Sequence, residues 1–251
     1  MATEIVYGLH AVQALLKSAP QQVQELLLLR GRRDQKLQKL VRQAEKNGIA
    51  LRYADRRALD EKVGGEGNHQ GVVAVCTGAA KVYDERFLKE LLETLEQNSE
   101  APFLLILDGV TDPHNLGACL RSAEAAGVHA VIVPKDKSAG LTPTARKVAC
   151  GAAEVLPLVT VTNLARTMQQ LQQAGVWIFG AAGEGDQDVF AASLRGGIAL
   201  AMGAEGSGLR RLTREHCDHL IRIPMAGEVS SLNVSVATGV CLFEAVRQRS
   251  S

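Results

Sequence analysis

The stretch LLILDGVTDPHNLGACLRSAEAAG, Leu104 to Gly127, decides how this chain is read. A short apolar run ends at Asp108-Gly109, a polar loop follows, and then Ala and Leu recur at helical spacing. That is how a nucleotide-binding α/β unit begins. The loop, however, carries Asp112, Pro113, His114 and Asn115 where a dinucleotide fold needs G-x-G-x-x-G. The fingerprint is missing from the N-terminus too, which counts against an oxidoreductase on a doubly wound sheet.

Downstream of Pro102 the alternation continues. FLLILDG, AVIVPK, VLPLVTV, VWIFGAA, IALAMGAE and LIRIPM read as strands, with helices between most of them and a final helix SLNVSVATGVCLFEAVRQR. This pattern predicts an α/β fold, a mostly parallel sheet with helices on both faces. Upstream lies a smaller α/β unit. It has a helix from His10 to Ser18, the strand VQELLLLR, a helix from Asp34 to Asn47 closed by Gly48, then IALRYA, a short helix LDEKVGG and the strand GVVAVCT. Residues 78–101 read as a linker with an acidic amphipathic helix capped by Asp84. The expected division is therefore 1–77, linker 78–101, and 102–251.

The 251 residues are 46% hydrophobic and 22% charged, enough to bury a core. Aromatics make up 4%, too few for a platform of many stacked bases. No apolar run reaches the length of a membrane span, and the first residues carry Glu4 without a basic leader, so the expected location is cytoplasmic. The five cysteines are scattered without C-x-x-C, and the six histidines form no ligand cluster, so neither disulfides nor a metal is expected. The net charge of +1 is uneven. Residues 1–77 hold 12 basic and 8 acidic side chains, and the excess sits in RGRRDQKLQKLVRQAEKNG, Arg30 to Gly48. A solvated helix face and a phosphate-contacting patch both fit that run.

Ligands of open α/β sheets sit beyond the C-terminal strand ends, and three such ends are chemically unusual. After Asp108, Asn115 is placed to cap the next helix and Arg121 to lie in its second turn. In IALAMGAEGSGL, Gly203, Gly206 and Gly208 permit close backbone approach to a ligand, and Glu205 sits inside the turn. In IRIPMAGEVSSLNVSVATG, Ser230, Ser231 and Asn233 lead into the last helix. Each loop alone is ordinary: a capped helix, a glycine-rich turn, another capped helix.

Together and in this order they resemble the SpoU (TrmH-like) branch of the SPOUT methyltransferases. The matching motifs are N-x-G-x-x-x-R (Asn115 to Arg121), M-G-x-E-G (Met202 to Gly206) and I-P-M…S-L-N-V-S-x-A (Ile223 to Ala237). YGLHAV (Tyr7 to Val12) and HQGVVA (His69 to Ala74) extend the resemblance to the ribosomal-protein-like RNA-binding domain found ahead of that catalytic domain.

The resemblance implies a C-terminal α/β knot, a deep trefoil. It implies S-adenosyl-L-methionine as cofactor, held at Leu200, Met202, Gly203, Glu205 and Gly206, then Ile223, Pro224, Met225, Ser231 and Leu232. It implies methyl transfer to a ribose 2′-oxygen, with a guanosine of 23S (large-subunit) rRNA favoured by the N-terminal motifs and tRNA as the alternative. A homodimer that completes the site is implied as well. The site residues carried over are Arg121, Asn115, Glu205, Ser231 and Asn233. The family proposal makes Arg121 the general base. Because guanidinium holds its proton, the physical reading is that Arg121 stabilises the developing alkoxide and clamps a phosphate while another group takes the proton. A non-catalytic RNA-binding scaffold is the competing class, and it has no need of all four of Asn115, Arg121, Glu205 and Asn233. The cofactor brings the electrophile, so the chemistry asks for no metal.

Overall fold

The computed structural model describes residues 3–65, 67–77 and 83–250, with residue 3 described in its backbone only. Residues 78–82, the first part of the expected linker, lie outside the described residues, as does Glu66 of the loop before GVVAVCT. In chain order the elements are β1 (Thr3–Tyr7), α1 (Leu9–Ser18), β2 (Val23–Leu29), α2 (Gln35–Lys46), β3 (Ala50–Ala54), α3 (Arg56–Lys62) and β4 (Val72–Thr77). Next come α4 (Glu85–Gln97), β5 (Phe103–Asp108), α5 (Pro113–Ala125), β6 (Ala130–Pro134), α6 (Pro143–Val148), β7 (Leu158–Val161) and α7 (Leu164–Gln173). The chain ends with β8 (Trp177–Ala181), β9 (Gln187–Asp188), β10 (Ile198–Gly203), α8 (Arg211–Glu215), β11 (His219–Arg222) and α9 (Val234–Arg249). They form two compact units, residues 1–81 with 141–155, and residues 82–140 with 156–251.

The first unit is a four-stranded sheet in the order β1-β4-β2-β3. Strand side chains alternate between faces, so Leu26 and Leu28 of β2 join Val12, Leu16 and Leu40 on the α1–α2 side. Leu27 points the other way, onto Leu59 of α3 and Tyr7. The sequence named three strands here. The fourth, β1, pairs antiparallel with β4 from Thr3↔Thr77 to Tyr7↔Val73. Five residues with Glu4 among them give too little apolar periodicity to stand out. Residues 141–155 also belong to this unit. Arg146 of α6, 6% exposed, reaches Glu4 and Glu154 at 2.6 Å each.

The second unit is a seven-stranded sheet in the order β7-β6-β5-β10-β8-β11-β9, with every pair parallel. All six residues of β5 are buried, as expected of a parallel strand covered on both faces. One face packs Leu104, Ile106, Ile132, Val159 and Ile178 against Leu88 of α4 and Met168 and Leu171 of α7. The other carries α5 and α9, which pack on each other, and α9 also meets β10. Helix α4, read from sequence within the linker, caps on Asp84 as expected. Its Glu85 accepts hydrogen bonds from the Thr162 backbone (2.7 Å) and hydroxyl (2.8 Å).

Candidate functional site

The central strand pair sets the site. In the β5–β10 register Asp108 lies opposite Gly203, so the loops that follow both strands leave side by side from the C-terminal edge. Asp108 is fully buried. Its carboxylate accepts from the Arg210 backbone at 2.9 Å and pairs with the Arg210 guanidinium, tying the end of β5 to the far side of the turn after β10. That turn closes on itself through reciprocal Ala204 and Gly208 hydrogen bonds of 3.1 and 2.9 Å. Gly206 and Gly208 take φ values of +81° and +66°, and a Cβ on Gly203 would collide with the Gly208–Leu209 backbone. This turn needs its glycines for space and for handedness.

Helix α5 differs from its sequence reading in one respect. It starts at Pro113 and is capped by Asp112, whose side chain accepts from the His114 amide at 2.9 Å. Pro is favoured just inside a helix start, so the cap falls three residues before Asn115. Asn115 therefore sits in the first turn with its amide free for another partner, and Arg121 moves to the third turn. Helix α9 also starts later than SLNVSVATG suggested. Asn233 is its N-cap, and its side-chain oxygen Oδ1 accepts from the Ser235 amide (2.9 Å) and hydroxyl (2.6 Å). Strand β11 stops at Arg222, which leaves Ile223, Pro224 and Met225 in a loop rather than a strand.

The three motifs meet in a closed ring of hydrogen bonds. The Asn233 Nδ2 group donates to Asn115 Oδ1 (3.0 Å) and to Glu205 Oε1 (2.8 Å), and Asn115 Nδ2 donates to Glu205 Oε2 (3.2 Å). Residues 115, 205 and 233, far apart in sequence, thus hold one another's orientation. Both carboxylate oxygens of Glu205 are occupied, which explains how a carboxylate is kept in a tight turn.

Beside the ring opens a cleft of about 670 Å³ between the turns after β8, β10 and β11. Met202, Gly203, Glu205, Gly206, Ile223, Pro224, Met225, Ser231 and Leu232 line it. Leu200 does not. It is fully buried in β10, one pleat too deep to reach the cleft wall. The turn after β8, Ala181 to Glu184, also lines the cleft and was not read from sequence; only the glycines of GAAGEG signalled it. Arg121 is exposed on α5, does not line the cleft, and makes no hydrogen bond or ion pair among the described residues. Ser231 is exposed at the cleft rim.

The nearby thiols are not poised as nucleophiles. Burial pushes the Cys119 thiol up to about 11, and burial followed by the charges of Asp218 and Asp108 pushes Cys217 up to about 12. Among the described residues no group of three His, Cys, Asp or Glu side chains is gathered as a metal site would be.

A parallel α/β sheet whose glycine-rich turns build a cleft at its C-terminal edge, beside an Asn–Glu–Asn ring, has the ligand site of an open α/β fold. Residues 102–243 match the SpoU rRNA Methylase family, and residues 5–82 match a domain described as RNA 2'-O ribose methyltransferase substrate binding. The chain belongs to the SpoU rRNA methylase family. It is 61% identical over 248 residues, 99% of its own length and 100% of the other, to the protein of Escherichia coli (strain K12) named 23S rRNA (guanosine-2'-O-)-methyltransferase RlmB. A protein of the same name from Pseudomonas putida is 60% identical over 246 residues, 98% of this chain and 97% of that one. Among solved structures, the SpoU methyltransferase AviRb from Streptomyces viridochromogenes, in complex with the cofactor AdoMet, superposes with a TM-score of 0.78. The two are 26% identical, and the match covers 98% of this chain and 90% of AviRb. The A. aeolicus TrmH/SpoU tRNA modifying enzyme, 29% identical, matches 66% of this chain and 84% of its own with a TM-score of 0.56.

Proposed function

We propose that this protein transfers a methyl group from S-adenosyl-L-methionine to the ribose 2′-oxygen of one guanosine in 23S rRNA. The observation that carries the reading is the end-to-end identity of 61% with an enzyme named for that reaction. The tRNA alternative has weaker support, since the tRNA modifying enzyme matches 66% of the chain.

The cleft fits the cofactor. Apolar Leu209, Ile223, Pro224 and Leu232 offer a wall for a purine, and the glycine turn brings backbone within reach of its edge. When bound, S-adenosyl-L-methionine supplies an electrophilic methyl group. This chain's residues supply position and charge. The Asn115–Glu205–Asn233 ring fixes the turns on which the cofactor cleft and the ribose site both depend. Ser231, exposed at the rim, is placed to hold the target nucleotide. As the hydroxyl passes its proton to a group other than Arg121, the Arg121 guanidinium stabilises the negative charge developing on the 2′-oxygen, and it holds a neighbouring phosphate.

Arg121 stands outside its own chain's cleft, which suits a site completed by a second copy in a homodimer. The exposed Val236 (53%) and Phe243 (49%) on α9 support such pairing. The working division remains an RNA-binding domain at 1–77, a linker at 78–101 and a methyltransferase domain at 102–251 that threads as a trefoil knot. An rRNA substrate supports a cytoplasmic location. No helix among the described residues is long and apolar enough to cross a membrane.

The deciding experiment offers labelled S-adenosyl-L-methionine with protein-free large-subunit rRNA and with bulk tRNA, then maps 2′-O-methyl sites. Label at a single guanosine of 23S rRNA is the expected result. Label in tRNA would keep the chemistry and overturn the substrate. Cofactor binding with no label in either RNA or in pre-ribosomal particles would favour the scaffold class.

A further inference from the structure

The first unit carries a second cleft, of about 480 Å³, between the loop after β2, the outer face of α2 and the edge strand β3. Arg30, Arg33 and Arg42 line it, with Glu45 the lone carboxylate on its wall. None of these three guanidiniums has a hydrogen bond or ion pair among the described residues. Their neighbour Arg32 differs, since it is held by the Asp34 carboxylate and the Gln70 carbonyl. Three cations against one wall carboxylate leave the concavity with an excess of positive charge that no direct pairing among the described residues accounts for.

Tyr53 also lines the cleft and is 52% exposed. It sits on β3, an edge strand paired only with β2. An aromatic ring left in solvent beside unpaired guanidiniums gives a flat stacking surface flanked by phosphate donors. An acidic peptide would use the arginines but has no need of the exposed ring.

We infer that this cleft is a subsite for a single-stranded RNA segment, with one unpaired base stacked on Tyr53 and the adjoining phosphates held by Arg30, Arg33 and Arg42. The inference rests on the rRNA reading above and adds to it where, on the substrate-binding unit, an unpaired nucleotide is gripped. It also fits the low aromatic content, since a single ring is involved.

The test uses the full-length protein and a fluorescein-labelled 12-nucleotide oligouridylate, followed by anisotropy over a salt series. Y53A weakens binding about 5- to 100-fold and Y53F restores it. R42A lowers the slope of log affinity against log salt by about 0.7. On 23S rRNA, Y53A raises KM and leaves kcat within twofold. Unchanged affinity, slope and KM in both variants, with melting temperatures intact, would sink the subsite while the rRNA reading stands. A wild-type protein that binds the oligonucleotide through Tyr53 but methylates no rRNA would leave the subsite and remove the reading. Arginine-dependent binding of a polyglutamate peptide in preference to the RNA would overturn the assignment to nucleic acid.

Discussion

Arg121 and Asn233 both belong to the site motifs, yet they do different structural work, and this separates their variants. Arg121 is exposed and makes no hydrogen bond or ion pair among the described residues, so R121A should leave stability within about 0.5 kcal/mol of the parent. It should keep cofactor affinity and lower methyl transfer by at least about 100-fold, the scale of losing one charge-stabilising donor. Loss of cofactor binding along with activity would refute its place in the chemistry. Asn233 is a helix cap and the donor to both Asn115 and Glu205. N233A should therefore cost about 1 kcal/mol from the cap alone and weaken cofactor binding as well, since Glu205 loses a partner; urea unfolding and calorimetry check the two effects separately. The cysteines give a third residue-scale outcome. Burial holds Cys76, Cys217 and Cys241 at about 12 and Cys119 at about 11, while Cys150 is exposed. At pH 8 the native protein should react with a disulfide reagent at one thiol quickly, and C150S should abolish that fast phase.

At the scale of elements, the turn after β10 decides whether the cleft exists. G203A places a methyl group against the Gly208–Leu209 backbone, which no side-chain rotation relieves. About 1–3 kcal/mol of strain is expected, and the turn should open. S-adenosylhomocysteine at 100 times its wild-type Kd adds about 2.7 kcal/mol to wild-type stability and should add nothing to the variant. A full ligand-induced shift in G203A would show that the turn does not form the cofactor cleft. Most strands and the glycine turn were legible in the sequence because parallel, doubly covered strands are unbroken apolar runs and turns need glycine. Less was legible where cause lay outside the local pattern. Pro113 moved the α5 cap from Asn115 to Asp112, and strand β1 exists only through its pairing with β4. Leu200 belongs to the cofactor set that the resemblance implies yet lies outside the cleft, because motif spacing does not record how deep along a strand a residue sits. The ring joining 115, 205 and 233 could be expected only as three residues in related loops; the β5–β10 register brings 115 beside 205, and the packing of α9 on α5 and β10 brings 233 to them.

At the scale of the molecule, the open question is how Arg121, on the outside of its own chain, reaches a ribose. The proposed symmetric pair through α9 would answer it, and the exposed face of that helix can be tested directly. Val236 and Phe243 are seven residues apart, two helical turns on one side, and roughly half of each is in solvent. The opposite side of α9, with Cys241, Leu242 and Ala245, is buried within the chain. In a twofold interface one residue is used twice. Fully burying a Phe side chain is worth about 1.5–3 kcal/mol; with half of Phe243 still exposed in the monomer, F243D removes about 1.5–3 kcal/mol from the two copies together and adds two charges to an apolar contact. The folded monomer should tolerate the change, because half of Phe243 already stands in water there. Sedimentation velocity should show the parent as a dimer and F243D as a monomer of equal melting cooperativity. Methyl transfer should fall with dissociation. Mixing F243D with an R121A chain should not restore it unless dimers re-form. A parent protein that sediments as a monomer at the concentrations where it methylates at full rate would end the two-chain site and require Arg121 to act from within its own chain.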